Sequence, residues 1–126
     1  MALTVRREPE RDVCNSELQL QYRIYGKGPV QAEGDVLGFP FYFRARHEGW
    51  TFTVSLKNDV DPSMLNAKEF DNGMDGFFQD EGMTGFELMG DYGYTFDASY
   101  MPYDVAARLI EKSARKFLRD LEARQP

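Results

Sequence analysis

Between Glu69 and Asp97 the chain reads EFDNGMDGFFQDEGMTGFELMGDYGYTFD, with eight carboxylates, six glycines and seven aromatic rings. Carboxylates at this density can coordinate calcium, exchange protons or meet a basic partner. Calcium has a spacing to satisfy. Counted from Asp71, an EF-hand loop would have Gly73 at position 3, Asp75 at position 5, Gly76 at position 6 and Gly82 at position 12. The turn glycine falls correctly, but position 12 lacks the bidentate carboxylate, and Glu81 stands one residue too early. A structural zinc site needs four ligands drawn mainly from Cys and His, and the chain has one of each, Cys14 and His47. No metal or cofactor is therefore expected.

Nucleophilic chemistry has equally little to work with. His47 falls in an expected hairpin loop beside Glu48, Cys14 precedes the first alternating run, and Ser99 and Ser113 sit in no nucleophile elbow. A carboxylate pair from this segment could do acid–base work only if one member were buried. The reading thus leans away from an enzyme.

A recognition surface uses all the ingredients. Residues 58–103 carry ten acids against Lys68, whereas residues 1–57 hold eight basic and seven acidic side chains, and residues 104–126 hold six basic and four acidic. The net charge of −6 thus comes from one segment. Such a segment repels nucleic acid and attracts a basic protein surface. Its rings are too many for a solvated chain, and aromatic anchors are what interface hot spots favour. The expected partner-binding set is Asp71, Asp75, Phe77, Phe78, Asp80, Glu81, Glu87 and Asp91. Tyr42, Arg44 and Arg46 form a secondary anion-binding candidate, since a tyrosine and cations alternating on a sheet surface can hold an anion.

The elements that must position these residues follow from hydrophobic period. ELQLQYRIY (17–25), VQAEGDV (30–36), FPFYFRAR (39–46) and WTFTVSLK (50–57) alternate apolar and polar residues and read as an antiparallel meander. A five-residue loop at 25–29 opposes Ile24 to Val30 and Tyr22 to Ala32. A two-residue loop at 37–38 opposes Val36 to Phe39. A four-residue loop at 46–49 opposes Ala45 to Trp50, Phe43 to Phe52 and Phe41 to Val54, leaving Tyr42, Arg44 and Arg46 on the other face with Thr51 and Thr53. Asp61-Pro62 marks the start of a short helix ending near Asn72-Gly73, and Tyr92 to Tyr100 alternates as a fifth strand. Val105, Leu109, Ile110, Ala114, Phe117, Leu118 and Leu121 share a helical stripe.

The fold class is therefore α+β in a single domain, 1–126. A meander of four to five strands (about 17–57 plus about 92–100) packs on one C-terminal helix (about 103–124), with an acidic, glycine- and aromatic-rich insert at 58–91. The opening residues show no apolar run like a signal peptide, no stretch reaches membrane-span length, and a single cysteine suits a reducing cytoplasm. The expected function is a non-enzymatic binding protein that occupies a basic, nucleic-acid-binding site on a partner such as a nuclease. In charge and size this is analogous to the nucleic-acid-mimicking anti-defence inhibitors of phages and to immunity proteins. No direct nucleic-acid or membrane binding is expected. Two alternatives stand beside it: an enzyme or small-ligand binder with a carboxylate-lined pocket under the glycine-rich loop, and a structural subunit forming a homodimer through the C-terminal helix.

Overall fold

Leu20, Tyr22 and Ile24 are buried while Gln21 and Arg23 are exposed, so the first alternating run is a strand with one face in a core. The computed structural model describes residues 10–46, 49–57, 59–65, 76–80, 83–91 and 101–124. Among these, seven antiparallel strands form one sheet: β1 (Arg11–Asn15), β2 (Leu20–Tyr25), β3 (Val30–Val36), β4 (Phe39–Arg46), β5 (Gly49–Ser55), β6 (Gly76–Asp80) and β7 (Met83–Asp91). Their order across the sheet is β1-β2-β3-β4-β5-β7-β6. One helix, α1 (Tyr103–Arg124), covers the inner face, so the fold is the expected two-layer α+β arrangement.

The core is aromatic. Phe41, Phe43, Phe52, Phe86 and Phe117 are fully buried, each contributing roughly 1.5–3 kcal/mol relative to exposure. Phe117, from α1, meets Phe86 at 5.1 Å and Phe39 at 6.0 Å between ring centroids. Ala106, Ile110 and Ala114 complete the buried stripe of the helix, so its apolar face is used on the chain's own sheet. Asp104 near the N-terminus and Arg124 in the last turn complement the helix dipole. The Tyr103 hydroxyl donates to the Gly26 carbonyl at 2.8 Å and ties the helix start to the β2–β3 loop.

The expected register holds where turn chemistry constrains it. Ala45 opposes Trp50, Phe43 opposes Phe52 and Phe41 opposes Val54. Val36 opposes Phe39 across Leu37-Gly38, whose φ angles of 51° and 82° make a primed two-residue turn.

Four expectations need correction. The β2–β3 pairing is displaced by two residues: Ile24 opposes Ala32 and Tyr22 opposes Gly34. A Cβ at Gly34 would lie 2.6 Å from the Tyr22 Cβ, so this register needs a glycine there. A further strand, β1, precedes the meander. It has no apolar alternation because Arg11 and Asn15, on the inner side, reach Asp104 and Glu111 of α1 at 2.8 and 3.0 Å. The insert is no mere appendage, since β6 and β7 extend the sheet beyond β5. Finally, Asp61 does cap a helical turn, but it is a single 3-10 turn at Pro62–Met64, with Leu65 already extended. The rest of that expected helix and the expected strand at 92–100 lie outside the described residues.

Candidate functional site

With α1 on the inner face, the chemistry available to a partner lies on the outer one. Asp12, Arg23, Glu33, Tyr42, Thr53 and Glu87 oppose one another in turn from β1 across to β7. A second row, one pleat along, runs Tyr25, Gln31, Arg44, Thr51 and Met89. The odd–even alternation of consecutive strands builds both rows.

Two of the grooves on this face flank Tyr42 and Arg44. The first is lined by Glu33, Tyr42, Asp59 and Asp61, floored by Gly34 and Phe41, and has a volume of about 430 Å³. Asp61 is fixed there by its capping role, accepting from the Ser63 backbone N–H at 2.9 Å and from its hydroxyl at 2.8 Å. Tyr42 donates to Gln31 Oε1 at 2.6 Å. Burial raises the pKa of the Tyr42 phenol; Arg44 opposes the shift, and Glu33 and Asp61 reinforce it. The Tyr25 phenol is pushed up to about 12, by burial first and then by Glu33. Burial leads both shifts, and Glu33 adds to each.

Neutralisation is uneven over the surface. Asp12 faces Arg23 at 3.0 Å, Asp104 faces Arg11 at 2.8 Å, Glu17 and Glu111 face Arg115, and Asp120 faces Lys116 at 2.8 Å. Glu33, Asp59 and Asp61 have no such cation among the described residues. Nor do the described acids converge in a group of three or more able to hold a metal ion. The second groove, about 520 Å³, lies farther along β4 and β5 and includes Arg44, Arg46, Trp50 and Thr51.

The expected partner-binding residues are dispersed. Phe77 turns inward: its ring meets Phe86 at 5.0 Å and Phe117 at 6.1 Å, with the Arg124 guanidinium 4.2 Å from its centroid. Glu87 is 6% exposed and accepts from the Thr53 hydroxyl at 2.7 Å. Burial raises its pKa from the ordinary glutamate value, and the Thr53 bond opposes that shift. Neither residue is a free surface group, because strand parity sends Phe77 to the helix side and burial encloses Glu87. Phe78 occupies the position opposite Gly85, Asp80 pairs with Met83, and Asp91 opposes Gly49. Asp71, Asp75 and Glu81 lie outside the described residues, as does His47. Tyr42, Arg44 and Arg46 do share the outer face. Glu33, Asp59 and Asp61 are not legible as a set in the sequence. Alternation alone puts Glu33 beside Tyr42, but nothing local says that the 59–62 loop folds against them.

Comparison with protein-family models, with curated proteins and with solved structures gives no match. Among the described residues no helix is long and apolar enough to cross a membrane.

Proposed function

We propose that this chain is a small binding protein without catalytic chemistry, whose acidic groove at Glu33, Asp59 and Asp61 receives lysine or arginine side chains of a basic partner protein. The observation that carries the reading is the uneven neutralisation. Asp12, Glu17, Asp104, Glu111 and Asp120 are ion-paired, while these three surround a groove with no cation at hand among the described residues. An arginine entering it would find carboxylate acceptors beside the Tyr42 ring, the surroundings that charge-assisted hydrogen bonds and cation–π contact favour. A partner whose basic surface serves nucleic acid would be blocked by such a contact, so the biological role is inhibition by occupancy.

The test is capture from host lysate with wild type and with the isosteric variant Glu33→Gln/Asp59→Asn/Asp61→Asn. Asparagine caps a helical turn about as well as aspartate, so the change at Asp61 keeps the turn at Pro62. A second triple neutralisation, at Asp12, Glu17 and Asp120, serves as control. Wild type and control should retain the same basic protein at low salt and release it as salt rises, because exposed charges are screened within about 10 Å at 0.1 M. The groove variant should not retain it. Equal retention by both variants refutes the groove.

The second reading, a carboxylate-dependent enzyme or small-ligand binder, is favoured by one observation, the buried Glu87. A carboxyl with a raised pKa is suited to acid–base work. It ranks second because Glu87 has Thr53 as its hydrogen-bond partner and no second titratable group in such contact among the described residues.

A further inference from the structure

We infer that the second groove is a binding site for a small oxyanion, the carboxylate or phosphate group of a molecule with an apolar body, held by Arg44 with Arg46 at its rim. This inference is independent of the acidic groove and of the basic partner proposed for it.

Arg44 is half-buried, and its Nε is closed to solvent yet donates no hydrogen bond among the described residues. Roughly 90% or more of buried polar groups in folded proteins are paired, so an orphaned donor on a permanent cation calls for an explanation. Its cross-strand neighbours are Gln31, whose Oε1 is taken by the Tyr42 hydroxyl, and Thr51. No carboxylate among the described residues pairs with Arg44 or with the exposed Arg46. A guanidinium presents its Nε–H and one Nη–H as parallel donors, which a carboxylate or a phosphate accepts together. A small rotation of the Arg44 head brings that edge to the groove, where the Thr51 hydroxyl and Arg46 flank it.

The remaining walls set the rest of the ligand. Trp50 lies against Gly90 so closely that a Cβ there would stand 2.7–2.8 Å from three indole atoms. The indole therefore lies on the inner face, stacked on Phe43, and the groove's apolar wall on the outer face is the Met89 thioether beside Thr51. Two cations, a hydroxyl and a thioether in about 520 Å³ fit an oxyanion carried on a small apolar body.

Trp50 is the single tryptophan of the chain and one of the residues that bound the groove, so its emission is a nearby reporter of binding there. Phenyl phosphate, benzoate and inorganic phosphate are titrated separately at fixed ionic strength, with chloride as the balancing salt. A saturable change with phenyl phosphate or benzoate is expected, and the tighter of the two distinguishes phosphate from carboxylate. Arg44→Lys, which keeps the charge but loses the parallel fork, should weaken that binding about tenfold, and Arg44→Met should abolish saturation. In buffer free of oxyanions Arg44→Met should melt no lower than wild type, because it removes an unpaired donor. A response that never saturates, equal affinity in Arg44→Met, or a clear fall in that variant's melting temperature overturns the inference; the last result would mean that Arg44 serves the chain's own fold.

Discussion

Thr53→Val is the most informative single change on the outer face. It keeps the shape of the side chain and removes the hydroxyl that donates to Glu87 at 2.7 Å. Thr53 is 4% exposed and Glu87 6%, so water does not readily replace the lost donor. A hydrogen bond to a charged group is worth about 1.5–3 kcal/mol, against about 0.5–1.5 kcal/mol for a neutral one. Where Glu87 is ionised the variant should therefore lose about 1.5–3 kcal/mol, a fall in Tm of roughly 6–12 °C for a chain of 126 residues. The deficit should depend on pH with a definite sign. Burial raises the Glu87 pKa above its ordinary value of 4.5, so the native state holds this proton where the unfolded chain has released it. Stability from this group is then fully present below 4.5 and is lost as pH rises through the raised native value. Once Glu87 is protonated its bond to Thr53 is a neutral one, and the Thr53→Val deficit should shrink to about half. The assay is thermal and urea unfolding of wild type, Thr53→Val, Glu87→Gln and the double variant, from about pH 4 to about pH 8. On the Glu87→Gln background the deficit should be small and flat with pH. A Thr53→Val deficit that is the same at both ends of the range, or that grows in acid, refutes the reasoning.

Two further changes test the fold. Leu37 holds φ at 51°, a left-handed conformation that costs a residue other than glycine about 1–2 kcal/mol, and its side chain is 40% exposed. Leu37→Asn should therefore raise stability by about 0.5–1 kcal/mol, measured as a higher urea midpoint with an unchanged slope. Phe77→Ala should lower stability by about 2–4 kcal/mol, since its ring packs on Phe86 and Phe117 under Arg124; a ring reserved for a partner would leave the unfolding curve unmoved.

These positions also show where sequence reading succeeds and where it is blind. The β4–β5 register is legible because a one-residue slip would set Arg46 beside Trp50 and split the aromatic set. The β2–β3 register is not, because a slip of two residues keeps every side chain on its own face, and alternation carries no information about it. Only the close approach of Gly34 to Tyr22 decides that pairing. Strand β1 is hidden because Val13 is its one apolar residue besides Cys14 and its inner-facing partners are polar groups of α1. In β6 and β7 the glycines at 76, 85 and 90 break the alternation that Phe77, Phe86 and Leu88 would otherwise display.

The candidate site is legible as acidity but not as place. Charge counted along a chain treats Glu87 and Asp61 alike, whereas folding buries the first against Thr53 and leaves the second at the rim of a groove. Folding also adds Glu33, which the count assigns to a nearly neutral segment. The sign of the surface then changes along β4: Tyr42 lies by the carboxylates, and Arg44, two residues on, lies about 7 Å away on the same face. On the proposed reading this step governs selectivity. A uniformly basic surface gains at Glu33, Asp59 and Asp61 and is repelled by Arg44 and Arg46, so indiscriminate polycations are disfavoured. A partner with a cation placed for the first groove and an acid or bound oxyanion placed for the second meets no opposition. The two grooves together ask for a partner of defined charge pattern, which a net charge of −6 by itself would not.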